Sequence, residues 1–208
     1  MRDEPRYAEL HAHSAFTFLE GTDEPADMVA HASRLGLEAL AILDVDGMYS
    51  TVQTTMAARG CGLPVVYGAE VTLDPLSLRP LLPGASAPGW GLAPGAEEPG
   101  IRLPILAASP LGYENLVGMM STRALEHPGD RAPRFTLEDV GNAGADLIVM
   151  TGGSRGPLMR ALRAGGPAWA RRVASALGEA AGGADRLLIE WQAAPGDAPE
   201  PGDALAGL

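Results

Sequence analysis

Apolar and polar positions follow two alternating rhythms along the first third of the chain. Tyr7 to His11 reads as a strand, and Ala39 to Leu43 is a continuous apolar run of the kind found in strands covered on both faces. Between them, Pro25 to Leu35 carries apolar residues at helical spacing, with Met28, Val29, Ala32 and Leu35 on one face. Thr22 or Asp23 can cap this helix, Pro25 suits its first turn, and Gly36 suits the position after its end. Thr51 to Arg59 predicts a second helix ending near Gly60, and Leu63 to Tyr67 a third strand leading into Gly68-Ala69-Glu70. Strand, helix, strand, helix, strand indicates an α/β layer or barrel.

The rhythm breaks at residues 79–100, where Pro, Gly and Ala crowd without periodicity; this stretch reads as a loop or flexible insertion. Strand character resumes from Ile101 to Ala107, and Tyr113 to Leu125 is helical. Phe135 to Val140 suggests a short docking segment with a helical turn. Asp146 to Thr151 predicts another buried strand, Pro157 to Arg163 and Pro167 to Glu179 two further helices, and Leu187 to Trp191 a last strand. Residues 193–208 are rich in Pro, Gly and Asp and read as a disordered or truncated tail. No repeat of solenoid length is evident.

At 208 residues with 46 % hydrophobic composition, the chain can bury a substantial core. No run of about 18 apolar residues predicts a membrane span, and the charged start Met1-Arg2-Asp3-Glu4 is followed by no apolar signal region, so a cytoplasmic location is expected. The single cysteine, Cys61, excludes an internal disulfide and a cysteine-rich zinc site, and is expected to be a small buried hydrophobe. A net charge of −11 opposes non-specific binding to a phosphate backbone, although metal ions can still give a local site the opposite sign. Every basic residue is arginine.

The candidate chemistry falls where the expected strands end. In Glu9-Leu10-His11-Ala12-His13-Ser14 the two histidines stand at i and i+2, so on a strand both imidazoles project from one face, a common way to hold a divalent ion. Asp44 and Asp46 follow the second strand and Glu70 the third. In parallel α/β folds those ends carry the site, and imidazole with carboxylate suits zinc, manganese or iron. For Asp44 and Asp46 the alternative is a helix cap or a loop carboxylate.

Several segments in the same order resemble the PHP (polymerase and histidinol phosphatase) domain that opens bacterial DNA polymerase III alpha subunits, most closely the error-prone type. They are Leu10-His11-Ala12-His13-Ser14, Phe18-Leu19-Glu20-Gly21, Leu37 to Gly47, Tyr67-Gly68-Ala69-Glu70, Pro110 to Leu116, Arg134 to Glu138 and Leu147 to Gly152. The resemblance implies an α/β fold, a distorted barrel of about seven strand–helix units, spanning residues 1–192 and incomplete at its C-terminal end. It implies metal ligands at His11, His13, Glu70 and Glu20, the last standing where the family has aspartate. Three family ligands have no counterpart: Val45 replaces a histidine, Arg102 stands near another, and Gly153 stands where a cysteine is frequent. The family's closing Asp-x-His pair is absent.

The resemblance implies part of an error-prone DNA polymerase alpha subunit, with a role in damage-tolerant DNA synthesis. Its metal site is expected to be degenerate, with zinc or manganese at partial occupancy or none and no confident catalytic residue. The expected role is structural or partner-docking, toward downstream polymerase domains, other subunits and, through them, DNA. A stand-alone metal-dependent phosphoesterase or 3′–5′ exonuclease, and a remnant of a truncated gene, remain the alternatives.

Overall fold

The computed structural model describes residues 6–82, 100–128 and 134–192. The order is β1 (Glu9–Ala12), α1 (Pro25–Leu35), β2 (Leu40–Ile42), α2 (Thr51–Cys61), β3 (Val65–Val66), β4 (Gly68–Leu73), β5 (Ile101–Ala107), α3 (Pro110–Glu126), α4 (Leu137–Asn142), β6 (Leu147–Met150), α5 (Pro157–Ala180) and β7 (Leu187–Leu188). The fold is α/β as expected, but its sheet is mixed. β1, β2 and β3 pair in parallel, β4–β5 and β5–β6 are antiparallel, and β6–β7 is parallel. A parallel bridge between Val45 and Glu70 joins the two ladders into one curved surface. β5 therefore runs against all its companions, because it pairs with β4 as the returning arm of a hairpin, from Gly68 opposite Leu106 to Leu73 opposite Ile101. Among the described residues no ladder joins β1 to β7, so the barrel stays open.

The alternation of strand side chains sets the layers. Ala69, Val71 and Leu73 of β4, with Ile101, Leu103, Ile105, Leu147 and Val149, form the main core against α3, α4 and α5. Leu40 and Ile42 pack on Val29, Ala32 and Ala58 of α1 and α2. On the concave side, Ala41, Leu43, Leu106 and Met150 fill one end. Glu70 and Thr72 share that concave side farther along β4 and leave its other end polar.

Several local expectations are met for the physical reasons given. Gly36 closes α1 at φ 71, a left-handed conformation open to glycine. Phe135 is buried, pairs beside Leu73, and precedes α4, whose Thr136 and Asp139 form a capping box. The two helices expected after Gly156 are the arms of α5, broken at Gly166 (φ 71, ψ −167) ahead of Pro167.

Others are corrected. Glu24, not Thr22 or Asp23, stands at the cap of α1 with no side-chain bond, and Leu35 turns to solvent while Val29 and Ala32 carry the buried face. α2 continues through Cys61 to Gly62, which places the thiol on the exposed side of its last turn, bonded back to Ala57 and Ala58 carbonyls. Of the expected insertion, residues 83–99 lie outside the description, as does the tail 193–208; a 3₁₀ turn, Pro75–Leu81, leads toward the former and buries Leu78.

The last strand is shorter than expected, two residues, and Leu188, Ile189 and Trp191 along this edge are exposed. An unpaired apolar edge invites pairing with another copy. We expect the isolated chain to associate as concentration rises, and Ile189→Lys to shift it toward monomer without lowering its melting temperature. Size-exclusion chromatography with light scattering checks this; unchanged association in that variant would exclude the β7 edge as its cause.

Candidate metal centre

His11 lies near the end of β1, His13 just beyond it, and Glu70 in the middle of β4. Glu70 was expected after the third strand. Instead the chain steps at Tyr67 from its pairing with β2 into β4, which runs on past Glu70. Because Ala69 and Val71 face the main core, Glu70 must face the concave side, toward β1. His11 Nε2 comes within 3.1 Å of Glu70 Oε1, and His13 Nε2 within 3.2 Å of Glu70 Oε2. The rings meet edge to face at 5.3 Å.

These contacts have ion-pair distance without hydrogen-bond alignment. His11 Nε2, His13 Nε2 and Glu70 Oε2 are each buried with no hydrogen-bond partner. One ligand atom from each of the three side chains lies within 4.8 Å of the other two. Two imidazole nitrogens and a carboxylate, buried, mutually close and otherwise unsatisfied, fit a small divalent cation.

Glu20, the fourth expected ligand, is otherwise engaged. Its Oε1 accepts from Arg102 Nη2 at 3.1 Å and its Oε2 from Arg155 Nη1 at 2.6 Å, while His13 Nδ1 stands 4.0 Å away. Arg102 reaches the centre because β5 is reversed: its first residues, not its last, lie at the polar end. The guanidinium donates to Thr72 Oγ1 at 3.2 Å and lies 4.0 Å from Glu70 Oε2. Val45 contributes a backbone bridge to Glu70 and no donor. Gly153 abuts Gln192, so the amide of Gln192 fills the space that a side chain at 153 would occupy.

Neither aspartate joins the three-residue cluster. Asp44 is buried, and its Oδ1 accepts from Ser14 N, Ser14 Oγ and Thr17 Oγ1 at 2.8–3.0 Å, which folds the loop between His13 and Glu20. Gly21 packs onto the Ser14 carbonyl, an approach that a Cβ would block. Asp46, at φ 52, accepts from Thr72 N and Oγ1, both at 2.7 Å, and so ties the end of β2 to β4. Burial raises its pKa against the opposing pull of Thr72 and Arg102.

Three partners, Glu190, Arg155 and Gln192, escaped sequence reasoning; Gln192 Nε2 lies 3.3 Å from His11 Nδ1. Glu190, beyond β7, places Oε1 2.7 Å from His11 Nδ1, and Arg155 follows β6 in a 3₁₀ turn. The signal for Glu190 was the one that found His11: a polar side chain just past an apolar strand, with Leu188, Glu190 and Gln192 in alternation. His31 is exposed beside Arg34, and His127 is exposed at the end of α3, both away from the centre.

The side chains of the centre line a hollow of about 460 Å³ that includes Leu19, Gly152 and Ser154. A larger apolar hollow, about 860 Å³, opens at the other end of β5 among Val66, Tyr67, Leu106, Tyr113 and Ile148. It holds none of the metal-ligating cluster.

A model of the PHP domain family matches residues 9–194. The chain belongs to the PHP domain family. This PHP domain is 38 % identical over 185 residues to an error-prone DNA polymerase from Mycolicibacterium paratuberculosis, covering 88 % of the chain and 16 % of that protein. It is 34 % identical over 212 residues to an error-prone DNA polymerase from Nocardia farcinica, covering 88 % and 18 %. The PHP domain thus spans less than a fifth of the length of these relatives. Among solved structures, an amidohydrolase from Chromobacterium violaceum, described with bound sulfate and no metal, is similar at TM-score 0.46 and 15 % identity, over 91 % of this chain and 88 % of that one. Among the described residues no helix of the PHP domain is long and apolar enough to cross a membrane.

The charges of the ion-free PHP domain are coupled. Burial opposes the imidazolium of His11, but the bond to Glu190 and the nearness of Glu70 overcome it and raise its pKa from 6.5 to about 9. Burial likewise opposes the Glu70 carboxylate, but His11 and His13 lower its pKa from 4.5 to about 2. The His11 contribution to stability is complete below pH 6.5 and lost as pH rises to about 9; the Glu70 contribution is complete above pH 4.5 and lost as pH falls to about 2. In a chelator we expect the urea midpoint to fall between pH 6.5 and 9, and Glu70→Gln to flatten that fall. A wild-type midpoint constant across this window would mean that His11 does not hold its extra proton.

Proposed function

We propose that this PHP domain belongs to an error-prone type DNA polymerase alpha subunit, where it holds one divalent ion and serves as a scaffold for polymerase domains or partner subunits. The observation that carries the reading is the convergence of three unsatisfied buried donors beside a glutamate already neutralised by two guanidinium groups. His11, His13 and Glu70 are the ligands, with Glu20 at the edge of the set, available only when released from Arg102 and Arg155. Zinc or manganese suits these donors, and a three-ligand His₂Glu set leaves a coordination position open. When bound, such an ion polarises water or a phosphate oxygen. Around it the chain offers little else for hydrolysis: Val45 and Gly153 donate nothing, and Arg102 places fixed positive charge beside Glu70.

The relatives' names support the error-prone DNA polymerase context, which we extend to synthesis across damage. We place the protein in the cytoplasm and its contact with DNA in the rest of the polymerase, since a net charge of −11 suits a scaffold better than a phosphate-binding surface.

Metal analysis after equilibration with zinc or manganese and removal of free ion tests this. About one ion per chain is expected, falling to background in the His11→Ala, His13→Ala double variant; unchanged stoichiometry there sinks the ligand assignment. Manganese-dependent cleavage of single-stranded DNA is expected near background. Robust cleavage abolished by His13→Ala would favour a phosphoesterase or exonuclease instead.

Arg102→Ala gives a further check on the same site. It removes a cation 4.0 Å from Glu70 and frees one oxygen of Glu20, so zinc affinity should rise several-fold in a chelator competition. Affinity that falls would show that Arg102 builds the site rather than competing with the ion.

A further inference from the structure

The two edges of the open sheet touch at His11, where Glu190 Oε1 and Gln192 Nε2 lie 2.7 and 3.3 Å from Nδ1. Glu190 approaches His11 Nδ1 to 2.7 Å across 179 positions of sequence. Its side chain is largely enclosed, 11 % exposed. It is also well anchored: the Glu190 N–H donates to Thr151 Oγ1 at 2.9 Å, and Gln192 Nε2 donates to Glu190 Oε1 at 2.6 Å. Its other oxygen is buried with no hydrogen-bond partner. Glu190 is nevertheless outside the trio whose ligand atoms all lie within 4.8 Å of one another.

We propose that Glu190 is the positioning residue of the metal centre, fixing the ring and tautomer of His11 while clasping the end of β7 to β1. The proposal rests on the single-ion reading above. A neutral imidazole carries one N–H, and a carboxylate only accepts. Glu190 Oε1, at 2.7 Å, is nearer to Nδ1 than the Gln192 amide at 3.3 Å, and that amide already donates to Glu190, so the closer carboxylate sets the proton on Nδ1 and turns the lone pair of Nε2 toward His13 and Glu70. A carboxylate behind a metal-bound histidine also raises the basicity of the ring and fixes its orientation. Among the described residues the Nδ1 side of His13 has no such support, since the carboxylate beside it, Glu20, is 4.0 Å away and held by two arginines. The two histidines are therefore unequal: His11 is set in advance and His13 is free to adjust. A cation held at Nε2 would make Nδ1–H a stronger donor to Glu190, so ion binding and closure of the sheet edge would assist each other.

Zinc alone is the probe. In zinc-loaded wild-type protein, nitrogen-15 NMR of the histidine rings should show His11 protonated at Nδ1 and metallated at Nε2. Hydrogen exchange at Thr151, whose N–H donates to the Leu188 carbonyl at 3.1 Å, should slow on adding zinc. Chelator competition should show zinc affinity reduced by roughly 10- to 100-fold in Glu190→Ala. Glu190→Gln, whose amide oxygen still accepts from Nδ1–H, should recover most of it. A clasp with no positioning role would lower thermal stability in Glu190→Ala and leave zinc affinity within twofold, and that result overturns the proposal. So does a wild-type spectrum with Nε2 protonated and Nδ1 on the ion, a measurement that needs no variant to fold. Wild-type protein that takes up no zinc overturns the single-ion reading and this proposal together, whereas wild-type uptake with an indifferent Glu190→Ala overturns this proposal alone.

Discussion

A carboxylate in the middle of a strand covered on both faces has to be answered by positive charge, and Glu70 imposes that demand on the whole polar end of the sheet. All six residues of β4 are buried. Removing an ionised carboxylate from water without a partner costs several kcal/mol, so the surrounding elements are arranged to supply one. β1 ends there with His11 and His13, and β5 enters with Arg102. Asp46 grips Thr72 two residues away and holds β4 in register with β2, which keeps Glu70 aimed at the histidines.

Charge at the centre is balanced with one vacancy of sign. Four carboxylates meet there: Glu20, Glu70, Asp46 and Glu190. Two guanidinium groups, Arg102 and Arg155, offset half of that charge. With both imidazoles neutral, two negative charges remain, the complement of a single divalent cation. Without the ion, His11 takes up part of the balance by holding a proton to about pH 9. Under the single-ion reading, a cation would compete with that proton for the same nitrogen, and its affinity should strengthen as pH rises through that range.

Much of this was legible along the chain because it depends on local spacing. His11 and His13 at i and i+2 share a face whatever surrounds the strand, and Gly36 and Phe135 sit where turn chemistry and apolar pattern put them. What was not legible depends on strand direction. A pattern of apolar runs cannot tell a crossover from a hairpin, so the reversal of β5, and with it the placing of Arg102 inside the centre, had no signature in periodicity. Glu70 was assigned to a strand end because nothing in Tyr67-Gly68-Ala69 marks the step from one ladder to the next. Cys61 looked buried by residue type, but the helix continued two residues farther than its glycine suggested and turned it outward. Glu190 was overlooked because its partner lies at the far edge of the sheet, a contact set by curvature alone.

The side chains around the centre are physically consistent with one another. Val45 and Gly153 offer no charged group, so the nearby carboxylates are answered from elsewhere. In this chain Arg102 and Arg155 neutralise Glu20 directly, and Gln192 occupies the space beside Gly153. A guanidinium gives permanent charge and fixed hydrogen-bond directions without needing to be loaded, but it has no empty orbital for water and cannot lower the pKa of a bound water as a metal ion does. An arginine at such a place therefore supports the architecture without supplying an ion's chemistry. Among the described residues, the cluster of His11, His13 and Glu70 lies against the open edge of the sheet, where Glu190 meets His11 across the gap between β7 and β1.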